Sequence, residues 1–178
     1  MGLNRESEII ARVKAGYTHE FEYLVHRYQG HLFRIVGNLV RSAIVEDLVQ
    51  DVFLTAFAQI QGFDPLRGSF RAWLYRIARN RALNARKKKR ELLSPEDPVI
   101  PDQRTPAHDL LVKEAFSHLD RALDELRFQD RVIFVLAELD GLSYAEIAQI
   151  EKLALGTVKS RLARIKNKLR KTLQPFVK

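Results

Sequence analysis

The chain has 178 residues, 46% of them hydrophobic, and 30 Lys and Arg against 22 Asp and Glu give a formal net charge of +8. That much apolar material is enough to bury a core and excludes wholesale disorder, and the excess of base favours a polyanionic partner such as nucleic acid or an anionic membrane face. No cysteine is present, which excludes disulfides, thiolate zinc sites, iron–sulfur clusters and a cysteine nucleophile. The opening MGLNRESEII lacks the apolar core of a signal peptide, and no window approaches the roughly 18 apolar residues of a membrane span, so a soluble cytoplasmic protein without membrane insertion is expected.

The charge is unevenly spread. Residues 1–90 hold 16 basic and 8 acidic residues, 91–110 hold 1 and 5, and 111–178 hold 13 and 9. Two basic lobes therefore flank an acidic connector. Within the lobes, 67–90 carries ten Lys or Arg and no acid, and 152–178 carries nine and no acid.

Both lobes read as helical, with little strand alternation. In the first, Thr18 is placed to cap a helix whose stripe is Phe21, Leu24, Val25, Tyr28, Leu32, Ile35, Val36 and Leu39. The next helix, from about Val45 to Ile60, buries Val45, Val49, Val52, Phe53, Ala56 and Ile60. Its other face sets Leu54 and Phe57 among Asp47, Gln50 and Asp51. Such a face is either a solvated charged surface with tolerated apolar residues or a docking patch with a charged rim, and both readings stay open at this point.

A turn signal, Gly62-Phe63-Asp64-Pro65, and the cap region Gly68-Ser69 precede a helix from about Phe70 into the RKKKR run at 86–90. Phe70, Leu74, Ile77, Ala78 and Ala85 form its inner stripe. On one flank Trp73, Asn80 and Asn84 fall within roughly 40° of one another by helical arithmetic, with Arg76 beside them. A π-face, two amides and a guanidinium are the groups that hold unstacked bases of a single strand, although Trp73 also fits a core aromatic at the edge of the stripe.

The connector ELLSPEDPVIPDQRTPAHD carries four of the six prolines, Pro95, Pro98, Pro101 and Pro106, and reads as an extended linker rather than as a long loop inside one domain. Beyond it, helices are expected near Lys113–Leu126 and Asp130–Leu139. Then Ser143 and Glu146 form a capping box, Ile147, Ala148 and Ile150 face inward, and Lys152–Gly156 break the chain before a last helix. Its inner positions are Val158, Leu162, Ile165 and Leu169; Thr157, Ser160, Arg164, Lys168 and Lys171 lie opposite. This is the pattern of a helix-turn-helix that presents its second helix to the major groove, the alternative being a plain hairpin with a solvated basic face. The organisation read from this is a helical domain over 1–90, a linker over 91–111 and a helix-turn-helix domain over 112–178.

Catalytic motifs are missing: no phosphate-binding Gly-rich loop, H-E-x-x-H or G-x-S-x-G occurs, and His26 and His31 are off the i,i+4 register of a two-ligand helix face. No enzyme activity, cofactor or metal is expected.

Three segments, EDLVQDVFLTAF at 46–57, GSFRAWLYRIARNRALN at 68–84 and LDGLSYAEIAQIEKLALGTVKSRLARIKNKLR at 139–170, together resemble the signature segments of bacterial sigma-70 family initiation factors, in the short two-domain form of the extracytoplasmic-function subgroup. The resemblance implies an all-α, two-domain chain with core RNA polymerase as partner, through its β′ clamp helices and β flap, together with promoter DNA and an anti-sigma factor as a candidate further partner. It implies that Asp47, Gln50, Asp51, Phe53 and Leu54 dock on the clamp helices. It assigns Phe63, Trp73, Arg76, Asn80 and Asn84 to opening and reading the −10 element, one base being flipped into a pocket. Thr157, Lys159, Ser160, Arg161 and Arg164 fall to the −35 element, and the linker to the polymerase channels. Ala163 departs from common members, which often carry a bulkier side chain there, so a promoter preference does not carry over. The competing classes are a free-standing helix-turn-helix regulator that binds duplex DNA without polymerase and a basic RNA-binding protein.

Overall fold

The computed structural model describes residues 2–40, 43–92 and 118–174. Every regular element among them is helical, and the chain divides into two compact units, 1–94 and 95–178. None of these helices is long and apolar enough to cross a membrane.

In the first unit α1 (Gly2–Lys14) leads into a 3₁₀ turn (Thr18–Glu20), α2 (Phe21–Val40), α3 (Val45–Gln59) and α4 (Phe70–Leu92). The periodicity did not call for α1, yet its Ile10 and Val13 are buried. It ends in a Schellman motif: Gly16 N–H donates to the Val13 carbonyl at 3.1 Å and Tyr17 N–H to that of Arg12 at 3.0 Å. Gly16 supplies the φ of +104° that this reversal needs. Glu6 ties α1 to α2, accepting from the Tyr28 hydroxyl at 2.6 Å and pairing with Arg27 at 3.1 Å.

Thr18 is not the cap of α2. It opens the 3₁₀ turn, and the helix proper starts at Phe21. The expected α2 stripe is buried apart from Val25, which is half-buried. The stripe of α3 is buried in full, and Leu48 joins it. On α4 the buried set is wider than expected, adding Ala72, Tyr75 and Ala82 to Phe70, Leu74, Ile77 and Ala78, while Ala85 is half-buried. Helices α2, α3 and α4 pack against one another, so each must bury a broad stripe. Helix α4 continues through Leu92, and residues 93–111 of the linker expected over 91–111 lie outside the described residues.

The second unit holds α5 (residues 118–124), α6 (Phe128–Phe134), a π-helical turn (Val135–Leu139), α7 (Tyr144–Glu151) and α8 (Leu155–Leu173). The start expected for α5 at Lys113 also falls outside the described residues. The second expected helix begins two residues early and changes to π geometry in its last turn, where Leu142 N–H reaches back to the Leu136 carbonyl at 2.9 Å. Arg131, only 2% exposed, closes the end of α5: its guanidinium donates twice to the Leu123 carbonyl and to Asp124 Oδ1 at 2.7 Å. A charge at that depth is tolerable because its donors are satisfied.

The capping box forms as read. Ser143 Oγ accepts from Glu146 N–H at 3.3 Å, and Ser143 N–H donates to Glu146 Oε2 at 3.1 Å. The break after α7 is tighter than expected, Lys152–Ala154, with Gly156 already inside α8. Lys152 takes the left-handed conformation at φ 54°, and Leu153 N–H closes on the Ala148 carbonyl at 2.9 Å. Val158, Leu162, Ile165 and Leu169 of α8 are all buried.

Candidate functional site

Three surfaces carry the residues singled out by the sequence. The first is the outer face of α3. Leu54 is 66% exposed, with Asp47, Gln50 and Asp51 exposed around it. Phe57, 38% exposed, leans edge-on against Phe21 with centroids 5.1 Å apart, so only part of its ring is offered. Phe53 does not belong to this surface. It is 9% exposed and turned into the helix packing, because one residue on a helix turns a side chain by ~100°. Arg81 of α4 reaches across, donating to Thr55 Oγ1 at 2.6 Å and lying 4.0 Å from Asp51.

The second surface is the turn between α3 and α4 with the adjoining flank of α4. Asp64 Oδ1 accepts from Leu66 N–H at 3.0 Å, and Gly68, at φ 147° and ψ 175°, occupies a region essentially closed to other residues. Together they throw Leu66 out to 94% exposure. Ser69 Oγ then accepts from Ala72 N–H at 3.2 Å and starts α4. The resemblance took in the whole loop around Phe63–Gly68 without singling out Leu66; an apolar residue inside an Asp-Pro-x-x-Gly turn is the signal that marks it. Phe63, by contrast, is buried at 5% exposure and stands 5.4 Å from both Phe70 and Trp73. It is the floor of the turn and not a surface contact. Trp73 is half-buried, its ring 5.4 Å from Phe70, so it is at once a member of the aromatic cluster and partly open. Asn80 and Asn84 are exposed and Arg76 is half-buried.

The third surface is the outer side of α8. Lys159, Ser160 and Arg164 are exposed, and Thr157 is half-buried, its carbonyl accepting from Ser160 Oγ at 3.1 Å. The Arg164 side chain is 71% exposed, with its tip 3.8 Å from Asp130 Oδ2. Arg161 is half-buried and engaged within the protein: it donates to Gln129 Oε1 and lies 3.5 Å from Asp130 Oδ1. Its role is to moor α8 to the start of α6, a contact between segments 31 residues apart that no local pattern announces. Lys166 is bound to Glu138 at 2.8 Å, which raises its pKa above the ordinary lysine value, and Lys168 pairs with Glu125 at 3.1 Å.

Residues 24–91 match the model of sigma-70 region 2, and residues 118–169 match that of sigma-70 region 4. The ECF RNA polymerase sigma-E factor of Escherichia coli (strain K12) is 33% identical over 184 residues, spanning 96% of this chain and 95% of that one. The chain belongs to the extracytoplasmic-function group of the sigma-70 family. The sigma-E factor of Haemophilus influenzae is 31% identical over 97% of both chains. Among solved structures, CnrH in complex with the cytosolic domain of CnrY superposes with a TM-score of 0.72 at 25% identity, covering 94% of this chain and 96% of that one. The sigma factor RpoE bound to the anti-sigma factor NepR from Bartonella quintana gives 0.67 at 29% identity, over 87% and 97%. As a sigma-70 factor the chain falls among transcription initiation factors that are not themselves catalysts. The α3 face and the α4 flank both lie within its region 2, and α8 within its region 4, apart from its last turn.

Proposed function

We propose that this sigma factor docks core RNA polymerase on the outer face of α3, opens the −10 element on the α3–α4 turn with the flank of α4, and reads the −35 element with α8. The observation that carries this reading is the segregation of chemistry within one small unit. Leu54 stands exposed inside an acidic ring, while α4 carries nine basic residues from Arg71 to Arg90, ten with Arg67 of the preceding turn, and no acid until Glu91. An apolar centre with an anionic rim suits a protein surface bearing cations, and a helix that is basic and free of acid up to its last turn suits DNA.

On the DNA side, Leu66 and the open edge of Trp73 offer apolar and π contacts to an unstacked base, and Asn80 and Asn84 offer amides to base edges. On α8, Arg164 and Ser160 are the base-reading candidates, and Lys159 and Lys171 the phosphate contacts. Arg161 shapes the helix rather than touching DNA. The acidic segment from residue 93 to 111 joins the two domains through the polymerase channels, and the chain operates in the cytoplasm with its polymerase. The complex of RpoE with the anti-sigma factor NepR makes an anti-sigma protein a natural further partner of this chain.

Promoter-dependent run-off transcription tests the reading. Core polymerase plus this chain should initiate at a cognate promoter and core alone should not; tight duplex binding by the chain alone, with no transcript in the presence of core, would instead indicate a free-standing regulator.

A further inference from the structure

The turn that bears Leu66 is held from outside the matched region 2. The ammonium of Lys14, at the last position of α1, donates to the Phe63 carbonyl at 2.5 Å and to the Gln61 carbonyl at 3.3 Å. The amide of Gln61 answers, donating from Nε2 to the Lys14 carbonyl at 2.9 Å. The same ammonium lies 5.8 Å from the centroid of the Phe63 ring. One side chain thus ties two points of a backbone 47 and 49 residues away, and the aromatic ring between them, to the end of a helix.

Its position gives the contact a purpose. Phe63 is the residue immediately before Asp64, which starts the turn that exposes Leu66, and its buried ring packs on Trp73. Fixing the Phe63 carbonyl fixes where the turn departs; fixing the ring fixes one wall against Trp73. A lysine ammonium has three donors, so two carbonyls leave it one proton for water, and its charge complements the carbonyl end of α1. The Schellman turn at Gly16 and the pair of Arg12 with Glu20 at 2.6 Å set the end of α1 from which Lys14 projects.

We propose that Lys14 is a positioning residue for promoter opening, a brace by which α1 holds the α3–α4 turn and the Phe63–Trp73 pair in the geometry that receives an unpaired base. The proposal rests on the −10 assignment of the preceding section, and two readouts separate the two. Trp73 is the only tryptophan in the chain, so its emission reports the aromatic cluster with no DNA present.

The experiment compares wild type with Lys14→Met, which keeps the stem and removes the ammonium, and Lys14→Arg, which restores donors. Circular dichroism melting of the full chain confirms folding. Lys14→Met should shift Trp73 emission to the red and lower open-complex formation on duplex promoter by about tenfold, as expected from losing charged hydrogen bonds. Closed-complex affinity should hold, a pre-melted bubble template should recover most of the loss, and Lys14→Arg should restore both signals. Unchanged emission with unchanged opening overturns the brace. A loss equal on duplex and bubble overturns the role in opening, since on the bubble the cost of unpairing is already met and a brace that lowers that cost should matter less. If emission shifts and opening does not, Trp73→Ala run in parallel assigns the failure. A normal Trp73→Ala promoter opening places the error in the −10 assignment, whereas a defective one places it in the role given to Lys14. Should Lys14→Met fail to fold, Lys14→Gln, which removes the charge and keeps an amide donor on a shorter stem, carries the same test.

Discussion

Leu54 and Phe53 are neighbours in sequence and opposites in the fold, and substituting each one separates docking from folding. Full burial of a leucine side chain is worth about 1.5–3 kcal/mol. With Leu54 already 66% exposed, docking gains roughly two-thirds of that, about 1–2 kcal/mol, and Leu54→Ala should weaken core-polymerase affinity by about 5- to 30-fold. Leu54→Asp adds a carboxylate that must shed water at the interface beside Asp47 and Asp51, which takes the loss to about 100-fold or more. Neither change should move the stability of the free chain by more than about 0.5 kcal/mol, because the site faces water. Phe53→Ala does the reverse. At 9% exposure it opens a cavity and costs about 3–5 kcal/mol, enough to unfold much of the first unit. The assay is titration of core polymerase against chain labelled through one introduced cysteine, which the cysteine-free sequence permits, with thermal melting alongside. Wild-type affinity in a folded Leu54→Asp protein would refute the docking assignment, and a stable Phe53→Ala protein would refute the burial argument.

On α8, Arg164→Ala should cost about 1–3 kcal/mol at a cognate −35 sequence and relax the preference there, while Lys171→Ala should weaken binding evenly and flatten the salt slope. Competition against base-substituted promoters distinguishes them, and equal, sequence-independent losses would reduce Arg164 to a phosphate contact. In the turn before α8, Lys152 sits at φ 54°, a conformation costly for any residue with a Cβ; Lys152→Gly should raise the stability of the second unit by about 0.5 kcal/mol net of the added chain entropy, read by calorimetry, and a lowered melting temperature would contradict it. Burial, reinforced by the hydrogen bond to Glu6, raises the Tyr28 pKa above its ordinary 10.0. The folded chain keeps a proton that the unfolded chain releases, so the contribution is complete below pH 10 and declines as pH rises beyond it. Urea unfolding across that range should show a slope that Tyr28→Phe reduces, and identical slopes would remove Tyr28 as the cause.

Where a residue's fate depends on neighbours along one helix, the sequence was sufficient. The α3 stripe, the capping box of Ser143 and Glu146 and the inner face of α8 all follow from spacing, and the signature segments carried the family. The surroundings of residues that depend on a distant segment were not legible. Arg161 is drawn to Gln129 and Asp130, and Phe63 turns inward because Phe70 and Trp73 offer it a wall. Helix α1 escaped notice since Ile10 and Val13 are too few to make a stripe until α2 stands beside them. The π turn at Val135–Leu139 has no sequence signal of its own.

The carboxylate of Asp130 lies within 3.8 Å of the Arg164 tip and 3.5 Å of Arg161, with only 12% of its side chain exposed. It is an internal counter-anion for α8, beside the Arg164 tip that the proposed −35 reading sends to DNA. On the proposed −35 reading, DNA meeting α8 must draw Arg164 away from a partner already beside it, and what it gains is the difference between the two. A phosphate in random sequence offers Arg164 little more than Asp130 does, whereas a bidentate base edge offers geometry that the carboxylate at 3.8 Å lacks. On the −35 reading proposed for α8, the same aspartate that steadies the helix would lower association with random sequence more than with a promoter.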